Sequence, residues 1–262
     1  MTKGKTTARV LNCIPSREKE KDWTFEHAVD ACLMDAALSI PSTMDLRDAW
    51  WKVGNQGETG SCVGWATADS VLRWHFVKAK RVKKTELLSV RQIWMSAKET
   101  DEYISYPTTF IEIAGTSLKS ALDIARKFGV VTEKVLPFAP GKLYQGKPDT
   151  FFAMAAQLKI ASYFNLGAKA ADWKQWLATK GPILTRLDVD ETWDNASVTN
   201  GKLAVYKPST ARGGHAVALV GYTPDSFIVR NSWGEEWGDK GFGYASLKYA
   251  QAAFTEAYGV VI

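Results

Sequence analysis

The sequence predicts an α+β protein of two lobes, with helices in its first part and strands in its second. Two observations carry this. Between residues 61 and 129, apolar side chains recur at spacings of three and four, the period of one helix face. Beyond about residue 155, short apolar runs bounded by glycine and proline take over, the texture of strands. Two such lobes meet in a cleft, and a cleft is where a site forms.

The elements follow in order. Residues 1–39 read as a short N-terminal leader, polar and basic at first, with a short helix expected over 28–38 from Ala28, Val29, Cys32, Leu33 and Ala36. The body spans 40–262, divided into a helical lobe over about 40–150 and a β-rich lobe over about 151–262. Gly54, Gly57 and Gly60 punctuate a loop, and a helix follows Ser61 with Trp65, Ala68, Leu72 and Phe76 on one face. The lysines of 78–84 sit near its C-terminal end, where the helix dipole favours positive charge. A second helix starts after Ser89 with Val90, Ile93 and Trp94. A third starts near Thr116 or Ser117, carries Leu118, Ala121, Leu122 and Ala125, and stops at Gly129. Strands are expected over 157–164, 183–189, 216–222, 226–231 and 243–247, with a helix over 172–180 ended by Gly181 and Pro182.

Composition narrows the function. Of 262 residues, 46% are hydrophobic and 23% charged, as in an ordinary folded domain. The 33 basic and 28 acidic residues leave a net charge of +5, a mild excess that sets no nucleic-acid footprint. Lys3, Lys5, Arg9, Arg17, Lys19 and Lys21 cluster near the start, but Glu18, Glu20 and Asp22 interleave with the later ones. No apolar run has the roughly 18 residues a membrane span needs, so no membrane partner is expected. No apolar segment of the secretory kind opens the chain, which predicts a cytoplasmic protein or export by a signal-less route. Three cysteines, Cys13, Cys32 and Cys62, are too few for a disulfide framework and wrongly spaced for zinc. Nothing calls for a metal or an organic cofactor.

The chemistry concentrates around Cys62. It lies at the first turn of a predicted helix, where unpaired N–H groups and the dipole favour a thiolate. Gln56, six residues earlier, can offer a side-chain amide beside the Cys62 N–H to a developing oxyanion. His215 opens an apolar strand, and Asn231 closes the next one sixteen residues later. A strand–turn–strand of that length brings the two together, so the Asn231 carbonyl can fix the imidazole tautomer. Trp233 and Trp237 follow, where their indoles can shield that bond from water.

Taken together these segments resemble the papain family of cysteine peptidases. Gln56 to Cys62 matches that family's oxyanion-glutamine and nucleophile segment; His215-Ala216-Val217 and Asn231-Ser232-Trp233-Gly234 match its other two motifs. Ile40-Pro41 through Asp45-Leu46-Arg47, Ser89, Leu136-Pro137-Phe138 and Gly181-Pro182 fall in the same order. The resemblance covers roughly residues 40 to 262. It implies the papain-like two-lobe fold with an antiparallel β-rich second lobe. It also implies peptide hydrolysis through a thioester, with Cys62 as nucleophile, His215 as base, Asn231 as its orienter and Gln56 at the oxyanion. Trp233 supports the histidine. Gly115, Thr116, Gly214 and Trp237 are implied substrate contacts. Arg186 falls where the family often has a small residue in its second specificity pocket, which predicts a narrowed pocket or a taste for acidic or polar residues. A deamidase or transpeptidase on the same residues, or a silent binding module, are the alternatives. Val63 and Thr59 stand where the family usually has tryptophan and cysteine. Residues 1–39 are too short for the family's longer pro-segments, but their position before Ile40-Pro41, with Trp23 and Phe25, predicts an intramolecular inhibitor lying in or near the cleft.

Overall fold

The computed structural model describes residues 9–35, 39–100, 114–139 and 142–262. Lys3, Lys5 and the end of the helix expected over 28–38 lie outside them. Its centre is one eight-stranded sheet. The strands are β1 (Met44–Asp45), β2 (Ser162–Asn165), β3 (Ile183–Val189), β4 (Lys202–Leu203), β5 (Gly213–Tyr222), β6 (Ser226–Arg230), β7 (Phe242–Ser246) and β8 (Phe254–Val261). They run in the order β2-β8-β3-β5-β6-β7-β4, with β1 on β5. All pairs are antiparallel except β4 with β7.

β5 shows why the sequence forms this sheet. Its side chains alternate between faces, as a pleated strand requires. Ala216, Ala218 and Val220 face a core shared with the helices, whereas Val217, Leu219 and Tyr222 face a second core rich in tryptophan. A strand apolar on both faces has to lie inside a layered structure.

Seven helices accompany the sheet among the described residues. α1 is Phe25–Asp30. α2 is continuous from Cys62–Gly64 through the π-helical Trp65–Leu72 to Arg73–Lys78. α3 is Val90–Thr100, α4 is Leu118–Lys127, α5 is Pro148–Ala155, α6 is Ala170–Thr179 and α7 is Leu247–Ala253. α2 is the spine of the first lobe. Leu72 and Phe76 are fully buried with Ile93, Leu118 and Leu122 from α3 and α4. A buried ion network then fixes α2 on the sheet. Asp69 accepts from Arg73 at 3.1 Å and from Arg230 of β6 at 2.7 Å, and Arg230 also donates to Ser70 Oγ and the Lys52 carbonyl. Three charges at this depth persist because each is hydrogen-bonded.

Local signals set the helix ends. Ser89 Oγ accepts from the Gln92 N–H, and Ser117 from the Ser120 N–H, as helix-starting serines do. Ser89 also donates to the Leu136 carbonyl, which ties the Leu136-Pro137-Phe138 turn to α3. The leader helix differs from the 28–38 expectation: it starts at Phe25, because Thr24 and His27 form a reciprocal capping box. The strand expected over 157–164 begins only at Ser162, after a turn of 3-10 helix over Ala156–Leu158.

Candidate active site

Cys62 stands at the N-terminus of α2, with Ser61 as its cap residue. Its side chain is fully buried. The nearby backbone amides of Ala216, Val63, Asn12 and Cys62 itself favour the thiolate. Ala216 is the residue after His215, so β5 and α2 converge on the thiol. Burial outweighs the four donors and pushes the Cys62 thiol up to about 11.

His215 is equally buried, and its Nε2 lies 2.8 Å from Asn231 Oδ1. The β5–β6 hairpin makes this contact. It pairs Ala218 with Arg230, leaving Asn231 to extend toward the His215 end of β5. The second ring nitrogen, Nδ1, is buried and has no hydrogen-bond partner among the described residues. Two indoles flank the imidazole, and a third backs them. Trp233 lies 4.9 Å away, Trp193 meets it at a right angle at 5.6 Å, and Trp237 stacks on Trp193 at 4.8 Å. Desolvation lowers the His215 pKa to about 4; the bond to Asn231 opposes this and the charge of Arg9 adds to it.

Gln56 is fixed from both sides. Its Oε1 accepts from Ser232 Oγ at 2.8 Å, and its backbone N–H donates to the Ser232 carbonyl. Its Nε2 donates to the Thr59 carbonyl at 2.9 Å and faces the Val10 carbonyl at 3.5 Å. Val63 is fully buried behind Cys62, while Trp65 packs edge-on against Phe138 at 5.2 Å.

The N-terminal segment from Arg9 to Ile14 lies across this site. Asn12 bridges to Gly214, the Cys13 N–H donates to the Gly214 carbonyl at 2.9 Å, and the Ile14 N–H donates to the Thr116 carbonyl at 3.2 Å. Arg9 donates to Asn55 and to the Trp233 carbonyl, with its guanidinium 5.6 Å from the Trp233 ring. Two glycines permit the approach. A Cβ on Gly115 would lie 1.5 Å from the Asn12 carbonyl oxygen, and one on Gly214 would lie 2.1 Å from that of Cys13. Farther along, Asp22 accepts from Tyr258 at 2.8 Å and is ion-paired with Lys119 of α4.

The sequence-selected residues therefore gather in one place. Cys62, His215, Asn231, Gln56 and Trp233 form its floor, and Gly115, Thr116, Gly214 and Arg186 touch the leader. Trp237 meets the site through Trp193 and donates to its carbonyl. Sequence reasoning missed Trp193, because nothing in Glu191-Thr192-Trp193-Asp194 marks it as facing a histidine. It also missed Asp188 and Glu256, whose strands supply neighbours to Arg186.

A model of papain family cysteine proteases matches residues 40–258. The chain belongs to that family. It is 27% identical to vignain from Phaseolus vulgaris over 227 residues, covering 82% of this chain and 57% of vignain. It is 26% identical to cathepsin J from Mus musculus, covering 79% and 60%. Macrodontain-1 from Ananas macrodontes is 28% identical, with 78% and 88% covered. The chain thus spans just over half the length of vignain and cathepsin J. Among solved structures, xylellain, a cysteine protease from Xylella fastidiosa, has the same fold with a TM-score of 0.76. It is 23% identical, with 97% of this chain and 96% of that one covered. Digestive procathepsin L2 from Tenebrio molitor matches at a TM-score of 0.69 and 20% identity, with 100% and 81% covered.

Proposed function

We propose that this chain is a cysteine endopeptidase held in a restrained form by its own leader. The reading is supported by one observation above the rest: His215 is bonded to Asn231, Gln56 is held by Ser232 beside it, and the leader backbone runs over both, with Gln56 Nε2 facing the Val10 carbonyl and Cys13 bonded to Gly214.

In the open enzyme, His215 Nδ1 takes the thiol proton and the sulfur attacks the peptide carbonyl carbon. The Gln56 Nε2 and the Cys62 N–H receive the oxyanion. Collapse breaks the C–N bond, and the imidazolium gives its proton to the leaving amine. Water, deprotonated by the same imidazole, then hydrolyses the thioester and restores the thiol. Asn231 holds the ring so that Nδ1 faces the sulfur throughout.

The leader opposes each requirement. It covers the thiol, so peptide reaches it only while the leader is lifted away. It excludes water, so both the thiolate and the imidazolium are disfavoured, as the shifts to about 11 and about 4 express. Arg9 adds a cation beside the imidazole, which disfavours the imidazolium further.

Product analysis tests the activity. The 262-residue chain is incubated with a denatured protein in ¹⁸O water, and the products are read by mass spectrometry. New C-termini carrying ¹⁸O, absent with Cys62→Ala, are the expected result. Intact chains with glutamine converted to glutamate, or new peptide bonds without hydrolysis, would replace the peptidase reading with a deamidase or a transpeptidase.

A further inference from the structure

A hydrogen bond holds the His215 ring at one end only. Asn231 Oδ1 meets its Nε2, and its Nδ1 has no partner among the described residues. The outer side-chain torsion of a histidine has a broad minimum, and one hydrogen bond tolerates a wide range of angles. Packing therefore has to set the plane of the ring. Trp233 lies against the imidazole at 36°, and Trp193 meets it at 90°. Whatever fixes Trp193 bears on the direction of Nδ1.

Trp193 belongs to a turn of 3-10 helix, Glu191–Asn195, just past the end of β3. Its stack on Trp237 leaves an indole free to slide in its own plane. A buried hydrogen-bonded chain removes that freedom. Trp193 Nε1 donates to Tyr249 Oη at 2.9 Å, and Tyr249 Oη donates to Asp190 Oδ1 at 2.6 Å. Chemistry fixes the direction: an indole only donates, a carboxylate only accepts, and the single hydroxyl proton goes to the carboxylate. Burial, with the bond to Asp190 adding to it, pushes the Tyr249 phenol far above its usual range, so it stays a donor. Asp190 is fully buried, and its other oxygen accepts from Thr192 Oγ1 at 2.6 Å and from the Lys207 N–H at 2.8 Å. Three donors on one buried carboxylate make a stiff mount. The sheet carries mount and imidazole together, since Leu187, three residues before Asp190, pairs with His215 itself.

We infer that Asp190 and Tyr249 are positioning residues for catalysis: they hold the Trp193 indole at a right angle to the imidazole, and that contact keeps His215 Nδ1 turned toward Cys62. The inference rests on the peptidase reading, since it assigns further residues to that reaction. Asn231 fixes where Nε2 points. The Trp193 mount fixes the plane in which Nδ1 lies.

Two variants test this. Trp193→Phe keeps an aromatic ring beside His215 and removes the N–H; Tyr249→Phe removes the hydroxyl that joins Trp193 to Asp190. Hydrolysis of a fluorogenic peptide amide is followed with the unaltered chain, each variant and the double variant, and working sites are counted with an epoxide that alkylates Cys62. The expected kcat per working site falls about tenfold in each single variant with KM unchanged, short of the roughly hundredfold that a 1 Å misplacement costs. The double variant falls no further than the lower single one, because both changes break one chain. A purely structural role would lower the count of working sites and the unfolding temperature but leave kcat per site at the parent value. That result overturns the positioning role and leaves the peptidase reading intact. A rise in KM at unchanged kcat does the same, as does a double variant about a hundredfold down, which would make the two residues independent. Should Tyr249→Phe fail to fold, Trp193→Phe decides alone by the same split of kcat from KM. No hydrolysis by the unaltered chain or by Gly115→Ala, whose new Cβ would crowd Asn12 of the leader, overturns the peptidase reading and the positioning role with it.

Discussion

Replacing Gly115 with alanine pushes the leader out of the cleft from beneath. The new Cβ would lie 1.5 Å from the Asn12 oxygen and 2.7 Å from the Asn12 Cβ, and the three nearest atoms all belong to Asn12. An ordinary contact lies near 3.4 Å, so the leader backbone must retreat by about 2 Å. That displacement exceeds what the Cys13–Gly214 and Ile14–Thr116 hydrogen bonds, at 2.9 and 3.2 Å, can absorb. Iodoacetamide reads the consequence at Cys62. In the closed chain, a thiol at about 11 is ionised to about one part in 10⁴ at pH 7. Free cysteine, near 8.5, is about 3% ionised, roughly 300-fold more. The more basic thiolate is the better nucleophile, with a slope of about 0.45, which returns about tenfold. Cys62 of the unaltered chain should therefore alkylate about 30-fold more slowly than N-acetylcysteine in the same tube, before any steric block. In Gly115→Ala, Cys62 should match or overtake the reference, most visibly near pH 5.5, where the reference is almost wholly thiol. The Cys62 peptide is quantified by mass spectrometry after timed quenching. Equal labelling of Cys62 in parent and variant, or parent labelling at the reference rate, would refute the leader's control of the thiol.

Further outcomes follow from the same geometry. Asn231→Ala should lower kcat by about 10²-fold or more with KM little changed, since the imidazole loses its orienter. It should also lower the His215 pKa, because the lost bond is one that raises it. Gln56→Ala should lower kcat by about 10²-fold, the size expected for one oxyanion donor, measured at saturating substrate. Acid should destabilise the closed chain. His75 and His215 are both held near 4 by burial, while the unfolded chain takes up protons near 6.5. Each therefore contributes stability that is present above about 6.5 and lost as the pH falls toward 4, up to roughly 3 kcal/mol per site. Urea titrations of the parent at pH 7 and 4.5, against His75→Gln, check this; identical pH dependence in both chains contradicts it. Arg230→Met should cost about 3–5 kcal/mol in the same assay, because it strands buried Asp69 between α2 and β6 with Arg73 alone.

The residues whose signals are local were readable in the sequence. His215 at a strand start and Asn231 sixteen residues on meet where their spacing placed them, and Cys62, after a glycine-rich loop, stands at a helix start as expected. β3 matches its expected span residue for residue, because Gly181 and Pro182 mark its start and apolar Ile183, Leu184, Leu187 and Val189 carry it to its end. The remainder depends on contacts between segments distant in sequence. β8 carries Thr255 and Glu256 within an apolar stretch that shows no clean alternation, and its place beside β3 follows only from the assembled sheet. Arg186 carried no sign that Asp188 and Thr255 would take up its donors. The leader was placed near the cleft by its position before Ile40, but its path over Cys62 depends on the missing side chains of Gly115 and Gly214. Such a clearance is a property of two surfaces and belongs to neither segment alone.

The central claim, that Cys62 is the nucleophile driven by His215, is tested most directly by trapping the acyl-enzyme. The unaltered chain and its Gly115→Ala variant are mixed with an activated peptide ester, quenched in acid within seconds, and digested. The account predicts the acyl mass on the peptide containing Cys62, released by hydroxylamine, absent with Cys62→Ser, and slower to form with His215→Ala. Acyl mass on any other residue, or acylation of Cys62 at the same rate without His215, would contradict it.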